Sequence, residues 1–202
     1  MEIEVAGSQP VDIYRLLISC VTPRPIAWVT SIDREGRVNL APFSFFNAFG
    51  ANPPVVVFSP IRRRDGTKKD TLLNVEATGE FVVNAAVEAL AAQVNLSSKE
   101  LPRGSSEVEL TGLTLSLSSR VRVPRIAEAP VNLECRLLQV VPIGNGPLSA
   151  NLVIGEIVMI HIDEGMMTPT GHVDPLKLRT IGRLGGIEYC RTSDLFTMER
   201  PS

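Results

Sequence analysis

The sequence predicts a mainly β fold, an antiparallel barrel with short helices added around it. Three observations lead there. Extended, β-branched runs recur at short spacing with few helical stretches between them. Val131, Leu133, Cys135 and Leu137 alternate with Asn132, Glu134 and Arg136, the period-two pattern of a strand with one buried and one wet face. The phosphate-binding fingerprints GxGxxG and GxxxxGKS/T are absent, which argues against a Rossmann domain.

The elements follow in order. After Pro10, Ile13, Leu16, Leu17 and Cys20 keep the spacing of a short amphipathic helix. Thr22-Pro23-Arg24-Pro25 then forbids helix, because each proline fixes its own φ and pushes its predecessor to extended geometry. Ile26 to Ile32 reads as strand, Asp33 to Gly36 as turn, and Arg37 to Phe46 as a second extended run, together a hairpin. Val55 to Ser59, nearly all apolar between Pro54 and Pro60, suits a strand buried on both faces. Arg62 to Lys69 is a basic loop, and Asp70 or Thr71 can cap a short helix that Gly79 stops. Phe81 to Ala86 reads as strand, Val87 to Leu96 as helix, and Leu101 to Glu109 as loop. A turn at Gly144 to Pro147 leads into Leu152 to Ile162, where Ile154, Val158, Ile160 and Ile162 share a face.

Composition narrows the function classes. The 20 basic and 22 acidic residues leave a formal charge of −2, so general binding to nucleic acid or an anionic membrane is not expected. The N-terminus has neither half of a signal peptide, and no apolar run is long enough to span a bilayer. Cys20, Cys135 and Cys190 are scattered and odd in number, which suits a reducing cytoplasm, and with His161 and His172 they make no metal-ligand spacing. His161 reads as a structural or surface histidine and His172 as a loop residue. A hydrolase triad has no support, and no catalytic residue emerges.

Two stretches carry chemistry. Five basic side chains fall within the eight positions from Arg62 to Lys69, directly before a helix start. Open N–H groups and the positive dipole end there would suit an anion, with Lys69 and Thr71 adding an ammonium and a hydroxyl. Taken alone, the run also fits a solvated basic loop. The second stretch is Asn39 to Asn47, with phenylalanines at 43, 45 and 46 around Ser44 in a chain of only 5% aromatics. Pro42 places it at a sheet edge or a bulge, where free backbone groups and apolar rings can meet a flat ligand.

TPRPIAWVTS (22–31), GRVNLAPFSFFN (36–47), PPVVVFS (53–59), KKDTLLN (68–74), GEFVVN (79–84) and IGRLGGIEYCR (181–191) together resemble the flavin reductase-like domain, nearest its flavoredoxin and DIM6/NTAB-type branch. The fragments keep the family's order and cover residues 13–191. The resemblance implies one domain over 1–202: a six-stranded, Greek-key-like split barrel, homodimeric, with FMN near the interface. It places Trp28, Thr30 and Ser31 along the isoalloxazine and ribityl chain, and Pro42, Phe43, Ser44 and Phe45 against the ring. Ser59 and the loop Arg64 to Thr71, with Lys69, Asp70 and Thr71, would hold the phosphate. The implied chemistry is hydride transfer from NADH or NADPH to flavin and on to a small-molecule or protein acceptor. The alternatives are an electron carrier with little nicotinamide turnover, or a split-barrel binding protein without catalysis. Arg183 and Tyr189 match family positions whose contacts the sequence leaves open.

Overall fold

The computed structural model describes residues 1–102 and 104–201. In chain order the helices are α1 (Pro10–Cys20), α2 (Asp70–Thr78), α3 (Ala91–Leu96), α4 (Glu107–Thr111) and α5 (Pro175–Leu178). The strands are β1 (Ala27–Ile32), β2 (Val38–Phe43), β3 (Phe46–Ala51), β4 (Pro54–Phe58), β5 (Glu80–Ala85), β6 (Leu115–Ser116), β7 (Arg125–Ile126), β8 (Val131–Ile143), β9 (Ala150–Ile162), β10 (Ile181–Arg183) and β11 (Tyr189–Arg191).

Seven strands make one antiparallel sheet in the order β2-β1-β5-β8-β9-β4-β3. The two edges, β2 and β3, are consecutive in the chain, with only Ser44 and Phe45 between them. That link spans at most about 10 Å, so the sheet must curl until its edges nearly meet. They meet without pairing along their length, which is the split of a split barrel. Inside lie Ala27, Val29, Phe43, Val56, Phe58, Phe81, Cys135 and Val153 from six different strands, closed over by Leu72 and Val75 of α2. Gly155 allows this filling, because a Cβ there would sit 2.3 Å from Cζ of Phe81. Outside, Trp28 and Leu40 pack with Val94 of α3, Val108 of α4 and Ile126 of β7. Among the described residues no helix is long and apolar enough to cross a membrane.

The predicted fold class holds, and several details differ. The main sheet has seven strands, because the run expected as one strand from Arg37 to Phe46 turns at Ser44 and re-enters as β3. The β3 sequence, with Gly50 and a register slip between Ala48 and Gly50, carries no clear alternation. Pro42 lies on an edge strand whose pairing with β1 is continuous, so the bulge alternative is not realised. Only Val56 and Phe58 of β4 are buried. The helix expected over 87–96 is a 3₁₀ turn (Glu88–Leu90) followed by α3. The loop expected over 101–109 contains the start of α4, capped by Ser106, whose Oγ accepts from the Glu109 N–H; Arg103 in that loop lies outside the described residues. On β9 the pairing skips Val158, which resets the alternation and leaves Ile160 and Ile162 exposed. The amphipathic helix α1 forms as expected yet buries none of its residues, and Leu16 and Leu17 remain exposed.

Of the face of β8 expected to be wet, Arg136 is exposed but Asn132 and Glu134 are buried in a polar network. Asn132 Nδ2 donates to Asn84 Oδ1, which also accepts the Ile126 N–H. Glu134 has no exposed surface; its carboxylate accepts the N–H groups of Ser119, Arg120 and Val121 and contacts His161 Nε2. The segment 117–130, irregular apart from β7, covers Asn132 and Glu134, and those side chains supply its backbone with partners. His161 thus meets the network through its Nε2.

Candidate functional site

The basic loop is ordered by its own ion pairs. Arg63 reaches Asp70 at 2.8 Å and also the Lys68 carbonyl; Lys68 pairs with Glu76 at 2.7 Å. Arg62 Nη1 donates to the Gly66 carbonyl, while its Nε is buried without a partner. Lys69 is left over. It makes no ion pair or hydrogen bond among the described residues, and its ammonium stands 6.0 Å from the centre of the Phe43 ring. Burial pulls its pKa below the usual lysine range; Glu100 opposes that shift and Arg63 adds to it.

Lys69 is also the N-cap of α2, in place of the expected Asp70 or Thr71, and no side chain caps that helix. The Leu72 and Leu73 N–H groups close on the Lys69 carbonyl, and the Asp70 and Thr71 N–H groups make no hydrogen bond among the described residues. Between this helix start and β2 lies a hollow of about 80 Å³ bordered by Asn39, Pro42, Phe43, Arg63, Lys69 and the 97–101 segment. Glu107 forms part of its wall. Burial pushes that carboxyl's pKa up, against a hydrogen bond from the Leu40 N–H, and Asp70 raises it further.

A second hollow of about 630 Å³ opens on the other side of the Ser44 link, walled by Ile13, Tyr14 and Leu17 of α1, Phe45, Leu148 and Leu152. The Tyr14 and Phe45 rings meet edge to face at 6.3 Å. Ser59 is at its margin, with its N–H donating to the Phe45 carbonyl and its hydroxyl accepting the Asn151 N–H. A larger hollow of about 880 Å³, beside His161 and Arg179, contains none of the expected residues. Its Glu88 is paired with Arg179 and Arg191.

The expected residues thus separate into groups. Pro42, Phe43, Lys69, Asp70 and Thr71 gather at the small hollow, Phe45 and Ser59 at the apolar one, and Ser44 stands between. Asp70 holds Arg63, and the Thr71 hydroxyl, 1% exposed, takes a hydrogen bond from Asn39. Arg64 is exposed in the loop, and Arg63 borders the hollow in its place. Trp28, Thr30 and Ser31 have no exposed surface. Trp28 donates its indole N–H to Ser97 at 2.9 Å on the outer face, and Ser31 accepts from Asn74 of α2 on the inner one. Thr30 and Ser31, as strand neighbours, point to opposite faces of the sheet.

Arg63, Asn39, Glu107 and the 97–101 segment were not singled out from sequence. Arg63 sat within the recognised basic run, but three consecutive arginines in a loop have no periodicity to say which faces inward. The C-terminal matches form a small hairpin of β10 and β11, in which the Arg183 guanidinium lies 4.5 Å over the Tyr189 ring and donates to the Glu188 and Gly186 carbonyls. The three thiols are free, and the described residues hold no group of three metal-ligating side chains.

Comparison with known proteins gives a consistent result. An uncharacterised protein of Halalkalibacterium halodurans is 44% identical over 191 residues, spanning 94% of this chain and 91% of that one. The crystal structure of nitrilotriacetate monooxygenase component B from Bacillus cereus superposes with a TM-score of 0.92 at 36% identity, covering 98% of each chain. That of the 2-nitrobenzoate 2-nitroreductase of Pseudomonas fluorescens gives 0.88 at 34% identity, over 100% of this chain and 97% of the other. Residues 18–177 match the family described as flavin reductase like domain, and the chain belongs to this family.

Proposed function

We propose that the protein is an FMN-binding oxidoreductase, a single domain acting as a homodimer, that takes a hydride from NADH or NADPH and passes reducing equivalents to a small-molecule or protein acceptor. The carrying observation is Lys69, a half-buried cation without a partner among the described residues, at a helix start with no side-chain cap and facing a hollow of about 80 Å³. An anionic group fits that donor set, and a single terminal phosphate beside the Phe43–Phe45 segment is the arrangement FMN would need. Bound flavin would supply the hydride and electron chemistry, and the chain its position and electrostatics. Lys69 and the first-turn N–H groups of α2 hold the phosphate, Arg63 adds charge, and Pro42 to Phe45 wall the ring. The monooxygenase component and the nitroreductase bear names of redox catalysts, which supports the same reaction class.

Lys69→Ala removes a charge-assisted hydrogen bond worth roughly 1.5–3 kcal/mol, so FMN affinity should fall about 10- to 150-fold in a fluorescence titration while riboflavin affinity hardly changes. Equal losses for both ligands would place the phosphate elsewhere. Anaerobic mixing of the FMN-loaded protein with each nicotinamide nucleotide tests the hydride step, which predicts bleaching of the flavin band.

The dimer reading has its support in side chains that this chain leaves uncovered: Leu16 and Leu17 on α1, and Leu195, Phe196 and Met198 near the C-terminus. Obligate interfaces commonly bury more than about 2,000 Å², and such residues are what they consume. Light scattering at micromolar concentration should return twice the chain mass; a monomer mass would remove the shared-site arrangement.

A further inference from the structure

Behind the Ser44 link stands Arg24, only 4% exposed. Its Nε donates to Ser44 Oγ at 3.4 Å, Nη1 to the Ile18 and Val21 carbonyls, and Nη2 to the Leu184 carbonyl at 2.9 Å. One guanidinium thereby ties the end of α1 and the β10–β11 hairpin to the turn between the two sheet edges. Every acceptor is neutral, and no carboxylate pairs with Arg24 among the described residues.

Arg183 pairs with Arg24 through the main chain and likewise spends its guanidinium on carbonyls. The titratable groups facing Arg24 are Tyr14 of α1 and Arg183 of the hairpin; Glu188 at the hairpin tip is exposed. Burial lowers the Arg24 pKa, Tyr14 opposes that and Arg183 adds to it. A guanidinium stays protonated in proteins even so. The result is a fixed positive charge, poorly solvated and without a counter-ion, next to the segment proposed to wall the flavin ring. Charge close to a flavin is one of the few means by which a protein sets its electronics.

We propose that Arg24 is an electrostatic positioning residue: acting from behind Ser44, it favours a reduced flavin that has taken up two electrons and one proton and keeps a negative charge, and it thereby raises the bound flavin's reduction potential. This rests on the flavin reading above. The electrons come from the nicotinamide donor, or from dithionite in the test, and the second proton stays in solvent.

The test is a reductive titration of FMN-loaded wild type, Arg24→Met and Arg24→Lys against reference dyes, with free FMN in the same buffers. A charge about 10 Å away, at an effective dielectric constant near 20, changes an equilibrium on the order of tenfold. Arg24→Met should therefore weaken reduced relative to oxidised flavin binding about tenfold, a potential about 30 mV lower, while Arg24→Lys stays near wild type. A potential unchanged in Arg24→Met overturns the inference. So does an equal shift in both variants, which would assign the effect to the guanidinium's fork geometry.

Should Arg24→Met fail to fold, the wild type decides. Its potential should fall by about 30 mV per pH unit, one proton per two electrons, down to a lower pH than free FMN does. A break at the same pH as free FMN overturns the inference. Wild type that retains no flavin at all defeats the underlying reading, and a yellow protein with an unshifted potential defeats only the role of Arg24.

Discussion

Glu134→Ala should destabilise the protein by about 3–5 kcal/mol in urea unfolding, the cost of breaking a buried charge network by removing one partner. The carboxylate is fully buried and accepts the N–H groups of Ser119, Arg120 and Val121 at 2.7, 2.6 and 3.2 Å. These lie in an irregular segment with no strand to pair with. Without Glu134 they would be left with poor partners, and Val121 and Val123 would lose the backbone hold that presses them against Ile32 and Val82. The effect should depend on pH. Burial works to raise the Glu134 pKa, but hydrogen bonds from the Ser119 N–H, His161 and the Arg120 N–H outweigh it, and the net shift is downward. A carboxyl whose folded pKa lies below its unfolded value stabilises fully above the ordinary glutamate range, near pH 4.3, and that stabilisation is lost as pH falls through the lowered value. Wild type and Glu134→Ala should therefore differ most at neutral pH and converge in acid. Glu134→Gln, which keeps one carbonyl acceptor, should fall between them. A neutral-pH loss in Glu134→Ala below about 1 kcal/mol would mean that water satisfies the segment.

The same residue shows where sequence reading stops. The alternation from Val131 to Leu137 correctly reports a strand, but period two says only that the faces differ, not what covers each. The cover here is 117–130, which has no periodicity of its own. Local chemistry read better. The hairpin β1–β2 follows from Asp33, whose carboxylate takes the Glu35 and Arg37 N–H groups, and from Gly36 at φ +82°. Gly79 stops α2 at φ +72°, as its lack of a Cβ permits. The basic loop and the start of α2 were legible to within a residue, because charge count and helix-start chemistry are local properties. The cavity's far wall, Ser97 to Leu101, comes from a distant part of the chain and was not. Family resemblance assigned Trp28, Thr30 and Ser31 to the ligand, although strand geometry alone requires Thr30 and Ser31 to face opposite sides. Closure of the barrel was written in the two-residue link between β2 and β3, but it becomes visible only once the sheet order is known.

That link is where the largest functional effect is expected: Ser44→Trp should give a folded protein that retains almost no FMN. Ser44 is half-buried at the gap between the two sheet edges, with Phe43 turned into the barrel and Phe45 toward the apolar hollow. The expectation is that the indole turns out of the gap, across the surface where the ring is proposed to lie. The price in stability comes from Arg24, whose Nε loses its hydroxyl acceptor, about 1–3 kcal/mol for a buried donor left unpaired. Ser44→Ala carries that same loss without the bulk, so its apo-protein should melt like Ser44→Trp, while its FMN affinity drops only by about 1 kcal/mol, roughly fivefold. The two substitutions should therefore agree in thermal stability and disagree in colour. If Ser44 were only a packing position, the order would reverse: Ser44→Trp would be overpacked by about a further 1–3 kcal/mol relative to Ser44→Ala, and whatever folded would bind flavin normally. Thermal melts of the apo-proteins beside the flavin content of the reconstituted ones separate these outcomes. A folded, fully yellow Ser44→Trp protein would remove the ring from this gap and, with it, the proposed place of the flavin between the edges of the sheet.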